Sequence, residues 1–360
     1  MIDYRAELPA ADRVRGRRGG SVFILVLIVM ASLVGLSAGL GFRVRIEMRL
    51  AHAYGRKVQA HYFAMGGVER AKALLSEKEL SASVVGAACH FNGTAKDEGV
   101  FEQFAREGMS GLEGSELGYC VRDELGYFNM NKSDPSVWEK LEGVSGELCG
   151  EIVDWTDADS DVSAGGAESD YYARLEPGYV AKNGEVLSVK ELLYLRSVTA
   201  RGYAGEDGDH DGVLDDNERD GYERWPWDNE DNVLDKGLVD FFTVFGDGKV
   251  NINTTSKDVL ACLGGIGEGA AEIVVNWRLG ADGQAGTDDD MWIEDAKGIG
   301  EIEGLTELEA ELLGQYCCFG SGYFRVYSYS RFKDGFDCCL MATLVKGDGG
   351  VEVLCLDRLL

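Results

Sequence analysis

Arg13-Val-Arg15-Gly-Arg17-Arg18-Gly19-Gly20 leads into Ser21-Val-Phe-Ile-Leu25-Val-Leu-Ile-Val-Met30-Ala-Ser-Leu-Val-Gly35-Leu-Ser-Ala-Gly-Leu40-Gly-Phe42, a run of 22 residues without a charge that closes at Arg43-Val-Arg45. At about 1.5 Å per residue the run spans roughly 33 Å as a helix, enough to cross the hydrocarbon core of a bilayer. A secretory signal peptide needs an apolar region of only about 7–15 residues with a small-residue cleavage site behind it. Ser37-Ala38-Gly39 has the look of such a site, so on this stretch alone a cleaved leader and a retained helix are both open.

The sequence beyond the run favours a retained helix. No proline occurs between Pro9 and Pro135. Leu50, Tyr54, Val58, Tyr62, Met65, Val68, Ala71 and Leu75 recur at three- and four-residue steps among Arg49, Arg56, Lys57, Glu69, Arg70 and Lys72. That spacing predicts an amphipathic helix continuous with the apolar one, on the order of 80 Å from Ser21 to Leu75.

A basic leader, a glycine and an apolar helix entering an amphipathic one resemble the type IV pilin and pseudopilin superfamily. Four further segments resemble the type II secretion system minor pseudopilin K family. They are Glu151-Ile-Val-Asp-Trp-Thr-Asp-Ala-Asp-Ser-Asp161, Gly165-Gly-Ala-Glu-Ser-Asp-Tyr-Tyr172, Ser188-Val-Lys-Glu-Leu192 and Asn251-Ile-Asn-Thr-Thr255. The resemblance implies cutting by a prepilin peptidase before Gly20 or Ser21, followed by N-methylation. It also implies an apolar residue in place of the usual glutamate at the fifth mature position. Counted from Ser21 that residue is Leu25, and counted from Gly20 it is Ile24. The implied partners are the other minor pseudopilins, the pseudopilus and the peptidase. The implied location is the inner membrane, single-pass, with the N-terminus cytoplasmic and the body periplasmic.

Composition bounds the rest. The chain has 360 residues and a formal charge of −28; without residues 1–20 it carries 30 Lys+Arg against 60 Asp+Glu. Such a balance repels nucleic acid and anionic membrane surfaces and suits divalent cations. Nine cysteines form no CxxC pair, which leaves them as buried small hydrophobes or as disulfides. Four histidines form no HExxH, and no carboxylate pair stands out as an acid–base couple. No enzyme is therefore expected.

The fold expected is α+β. A long transmembrane and amphipathic helix packs on a small antiparallel sheet, and a large helical domain is inserted between its strands. The divisions are a leader at 1–20, a transmembrane helix at 21–42, its amphipathic continuation at 43–80 and the first part of the pseudopilin domain at 81–131. The inserted helical domain follows at 132–320 and the closing strands at 321–360. Leu117–Arg122 and Tyr127–Asn131, around Asp123-Glu-Leu-Gly126, read as a hairpin. Tyr323–Tyr329, Cys338–Val345 and Val351–Leu356 read as strands.

Asp207-Gly-Asp-His-Asp-Gly-Val-Leu-Asp-Asp-Asn-Glu218 has the spacing of an EF-hand calcium loop. Asp207, Asp209, Asp211 and the Val213 carbonyl would ligate directly, Asp215 through water and Glu218 with both oxygens. Two weaker candidates are Asp157, Asp159 and Asp161 with Glu168 and Asp170, and Asp282, Asp288 and Asp290; a turn held by Asx side chains is the alternative for each. Asn251–Thr255 opens a helix-hairpin-helix-like unit with Thr254 or Thr255 as the expected N-cap. Its flanks offer Lys257 and Arg278 against Asp258, Glu268 and Glu272, too few cations for DNA, so a packing role is expected. The reading from these residues is a calcium-binding minor pseudopilin at the pseudopilus tip; the alternative is a calcium-stabilised, membrane-anchored surface enzyme or adhesin.

Overall fold

The structure, a computed structural model, describes residues 19–76, 116–141, 143–207, 214, 218–219, 221, 227–283, 289–332, 335–347 and 349–358. The chain forms two compact units, Met1–Val58 and Gln59–Leu360. Helix α1 runs over Gly19–Ser76, 58 residues, as the proline-free pattern predicts. In the first unit its large apolar side chains, from Val22 to Leu50, are all exposed. The rest of the expected stretch to residue 115 lies outside the described residues.

Within the second unit, β1 (Glu116–Asp123) is followed by a 3-10 turn (Glu124–Gly126) and β2 (Phe128–Asn129). Helical pieces follow: α2 (Gly146–Thr156), α3 (Ser169–Tyr172) and α4 (Ala200–Ala204). Then come β3 (Phe242–Thr243), β4 (Val250–Asn251), α5 (Lys257–Cys262), α6 (Gly267–Arg278), α7 (Ala296–Ile299) and α8 (Glu307–Tyr316). The chain closes with β5 (Cys317–Cys318), β6 (Tyr323–Arg331), β7 (Asp337–Gly347) and β8 (Gly350–Arg358). The main sheet is antiparallel in the order β1-β6-β7-β8, so the whole helical segment is inserted between two neighbouring strands.

The hairpin expected around residues 123–126 does not form. β1 pairs with β6, and Phe128–Asn129 pair in parallel with Phe242–Thr243. The 3-10 turn carries the chain off the sheet, and Phe128, fully buried, belongs to the core of the inserted segment. Strand-like residues there answered to burial in that core rather than to a local partner.

Successive side chains of the sheet face opposite ways. Leu117, Val121, Phe324, Val326, Ala342 and Leu344 pack with Ala60, Ala64, Val68, Ala71 and Leu75, the buried stripe of α1 at i, i+4, i+8, i+11 and i+15. Cys120, Tyr327, Tyr329, Cys339 and Met341 face the other way and join the inserted core of Phe128, Trp138, Tyr172 and Phe242. Burial on both faces explains the near-continuous apolar run of β7, whereas β8 at the sheet edge is largely exposed. Cys120, Cys149, Cys262, Cys317, Cys338 and Cys339 all sit in these cores, where a small apolar side chain suffices.

Two strand hydroxyls fix the helix. Ser328 Oγ donates to the Ala64 carbonyl at 2.8 Å, and Ser330 Oγ to the Ala60 carbonyl at 2.7 Å. Two residues along a strand thus match one turn of helix. Gly67 makes the approach possible, because a Cβ there would collide with the Ser328 hydroxyl.

Candidate metal centre

The acidic centre is built where α2 ends and α3 begins. Ser145 caps α2 by accepting from the Leu148 amide at 3.2 Å, and Leu148, Ile152 and Trp155 bury its inner face. Asp157 stands at the C-cap, and Glu168 at the N-cap of α3, where one carboxylate oxygen accepts from the Ser169 amide at 3.2 Å. The segment between them folds back over α2. Gly150 lies against the Ala164 carbonyl and Gly166 against the Asp154 carboxylate, positions where a Cβ has no room. Gly165 takes φ +78°, the left-handed region open to glycine.

This return brings ligand atoms of Asp157, Asp159 and Glu168 all within 4.8 Å of one another. Calcium binds oxygen at about 2.3–2.6 Å, so ligands of one ion stand at most roughly 5 Å apart, and the spacing fits one ion. Buried oxygens without a hydrogen-bond partner support the fit: Asp154 Oδ2, Asp157 Oδ1 and Glu168 Oε1. Glu168 is 4 % exposed and Asp154 fully buried. Burial, then the neighbouring acids, hold the Glu168 and Asp157 carboxyls above their ordinary range. Hard oxygen donors carrying this much negative charge are what a divalent cation neutralises. Asp154, whose charge acts on both, was not among the expected ligands; its place one turn before the C-cap, facing the return loop, was the available signal.

Two residues of the expected set stay outside. Asp161 is exposed and gives only its amide to Asp159 Oδ1, at 2.9 Å; Asp170 is exposed in the first turn of α3. In the 207–218 loop, Asp207 is 8 % exposed and Glu218 fully buried, while Asp209, Asp211, Val213 and Asp215 lie outside the described residues. Asp288 lies outside them too. Near Asp282 and Asp290 it is Asp289 that organises the turn, accepting from the Ala281 and Asp282 amides at 2.7 and 3.1 Å. Among the described residues no group of three metal-capable side chains forms there. Gly20 and Ser21 lie in the first turn of α1, and Leu25 is 63 % exposed.

The remaining motifs knit this region together. Glu151, fully buried, accepts from Arg196 Nε at 3.0 Å, from the Ser197 amide at 3.0 Å and from its hydroxyl at 2.9 Å. Glu191 accepts from Lys182, Trp155 Nε1 and the Leu187 amide, which hold its carboxyl below its usual range despite burial. Asn251 and Thr254 donate to Asp123 at 2.6 and 2.7 Å, and Thr255 to the Gly126 carbonyl at 2.8 Å. The threonines are thus occupied by the 3-10 turn, and Ser256, not Thr254 or Thr255, caps α5. Lys257 pairs with Glu272 at 3.0 Å, and Arg278 is buried, donating to the Ile252 and Thr255 carbonyls.

This architecture defines a class: an α+β protein whose N-terminal helix, long and apolar enough to cross a membrane, continues into the helix packed on an antiparallel sheet. Residues 140–205, which contain the acidic centre, match the family model for protein K of the type II secretion system. The chain is thus similar to protein K of the type II secretion system, the name that this family model and two curated relatives share. It is 27 % identical to type II secretion system protein K of Pseudomonas aeruginosa over 95 % of this chain and 93 % of that protein. It is also 27 % identical to the Aeromonas hydrophila protein, over 52 % of this chain; the match spans 61 % of that relative's length. Among solved structures it resembles a chain of the GspK-GspI-GspJ complex of the enterotoxigenic Escherichia coli type 2 secretion system. That match has a TM-score of 0.45 and 13 % identity, covering 88 % of this chain and 99 % of that one.

Proposed function

We propose that the chain is a calcium-binding minor pseudopilin that caps and helps initiate the pseudopilus for export across the outer membrane. It is inserted in the inner membrane with its N-terminus cytoplasmic and is cut by the prepilin peptidase before Gly20 or Ser21. The observation that carries this reading is the insertion: the helical segment between β1 and β6 is larger than the sheet it interrupts. Such a bulk is hard to fit along a packed shaft, and a tip accommodates it. Leu25, the fifth residue when Ser21 is the first, supports the same place. In the pilin superfamily a glutamate at that position neutralises the terminal amine of the subunit ahead. A subunit with nothing ahead would bury an unpaired carboxylate, at a cost of several kcal/mol.

The α5–turn–α6 unit serves in this reading as a helix-hairpin-helix used for packing, and calcium at Asp157, Asp159 and Glu168 ties α2 to α3. Other minor pseudopilins are contacted through the half-helix around Leu50–Leu75, where Tyr54 is 69 % exposed. Crosslinking from Tyr54 is expected to capture minor pseudopilins, and labelled chain to appear at filament ends. Regular labelling along the shaft would refute the tip assignment.

A further inference from the structure

Basic residues are unevenly placed in this acidic chain. Residues 43–57 hold five of its 35 Lys+Arg and one of its 63 Asp+Glu. Arg43, Arg45 and Arg49 are exposed on α1, and Arg43 meets Glu47 only loosely, at 3.7 Å. They follow Phe42, the end of the apolar run, by one, three and seven residues, or about 1.5, 4.5 and 10 Å along the helix. The polar headgroup layer on each side of a bilayer is roughly 5–8 Å thick, so Arg43 and Arg45 lie within it, and the long Arg49 side chain, leaning toward the helix N-terminus, reaches back to it. Arg45 and Arg49, four apart, share one face of the helix, and Arg43 points about 160° away from Arg45. In a helix whose N-terminus is cytoplasmic, arginines on the far side run against the usual bias of positive charge toward the cytoplasm.

We propose that Arg43, Arg45 and Arg49 form a collar that binds the phosphate groups of anionic phospholipid in the leaflet facing the body of the chain. The proposal rests on the membrane-anchored reading of α1. The chemistry is specific: the three are all arginine, whose planar fork takes two phosphate oxygens at once and is less tightly hydrated than an ammonium group. A phospholipid phosphate is the anion present at this depth, whereas the folded acidic body of a neighbouring protein is too large to enter the headgroup layer. Arg56 and Lys57 lie about 21 Å or more beyond Phe42, out of its reach.

The full chain reconstituted in phosphatidylcholine vesicles containing phosphatidylglycerol tests the collar. Co-flotation with the vesicles comes first: a chain that fails to float removes the membrane anchor, and the collar with it. For a chain that floats, electron spin resonance compares spin-labelled phosphatidylglycerol with spin-labelled phosphatidylcholine at the protein surface. The expected result is a several-fold preference for phosphatidylglycerol that weakens as salt rises. Arg43→Gln/Arg45→Gln/Arg49→Gln should float as well as wild type but lose the preference, and Arg56→Gln/Lys57→Gln should keep it. Equal association of the two lipids with the wild-type chain, or an unchanged preference in the triple variant, overturns the collar while leaving the anchor standing. Absence of a lipid preference together with lost crosslinking to a neighbouring subunit in the triple variant also overturns it, in favour of a protein contact.

Discussion

Arg325 on β6 and Glu124 in the 3-10 turn after β1 form a buried ion pair, Nε to carboxylate 2.7 Å, each side chain 1 % exposed. The guanidinium also donates to the Val239 and Phe242 carbonyls and stands 4.5 Å from the centre of the Tyr127 ring. Sheet, turn and inserted segment therefore meet at one cation. Burying two charges is costly, and losing one partner leaves the other uncompensated. Arg325→Met is expected to lower the stability of the detergent-solubilised chain by about 3–5 kcal/mol. Arg325→Met/Glu124→Leu should lose less than the sum of its two single changes. Urea unfolding of the three variants measures this, and additive losses would show that the pair is not coupled.

Asn253 is the second junction. Its amide donates to the Ile293 carbonyl at 2.8 Å and the Phe319 carbonyl at 3.2 Å, and its oxygen accepts from the Ile293 amide at 2.8 Å. Asn253→Ala strands buried backbone groups and is expected to cost about 1–3 kcal/mol. Ser256→Ala, which removes only the α5 cap, is expected to cost about 1 kcal/mol. A loss in Asn253→Ala well below about 1 kcal/mol, read from the same unfolding curves, would contradict the junction.

What the sequence disclosed, and what it hid, follows from how local each signal is. The apolar run, the proline-free helix and the three closing strands are local patterns, and all appear where expected. Glu151, Trp155, Glu168 and Glu191, scattered over motifs in the sequence, converge on one unit around α2. Their spacing showed resemblance but not that meeting. The hairpin failed because β1 finds its partner about 200 residues later, and nothing local in Leu117–Arg122 distinguishes a near partner from a distant one. Asp154 escaped for a similar reason, since only the return of residues 163–166 over α2 turns a helix carboxylate toward the acidic centre.

Ser328 and Ser330 give a third test. Ser328→Ala and Ser330→Ala each remove one hydroxyl bond to a helix carbonyl, with an expected loss of about 0.5–1.5 kcal/mol. Gly67→Val inserts a branched side chain where not even a Cβ fits, and should loosen the docking of residues 59–76 on the sheet. Hydrogen exchange of amides 60–68 reads this directly. Protection unchanged in Gly67→Val would mean the close approach does not hold the helix.

The acidic centre makes a prediction with a sign. Burial and neighbouring acids raise the Asp157 and Glu168 carboxyls, so the ion-free fold holds protons more tightly than the unfolded chain. Their contribution to stability is therefore largest below the ordinary carboxylate range and is lost as pH rises through the raised values. A cation requires both groups ionised, so calcium should stabilise fully at neutral pH and progressively less as the solution is acidified. At about 100 times the dissociation constant, one ion adds roughly 2.7 kcal/mol. Glu168→Gln/Asp157→Asn is expected to remove one ion and its share of the calcium-dependent rise in Tm, whereas Asp161→Asn/Asp170→Asn should keep it. Asp207→Ala/Glu218→Ala is expected to remove a different ion, so the two sets of losses should add. Melting of the full chain with calcium and with chelator, at pH 7.5 and pH 5, checks each part. A calcium-induced rise in Tm that is the same at both pH values would show that these raised carboxyls are not the ligands.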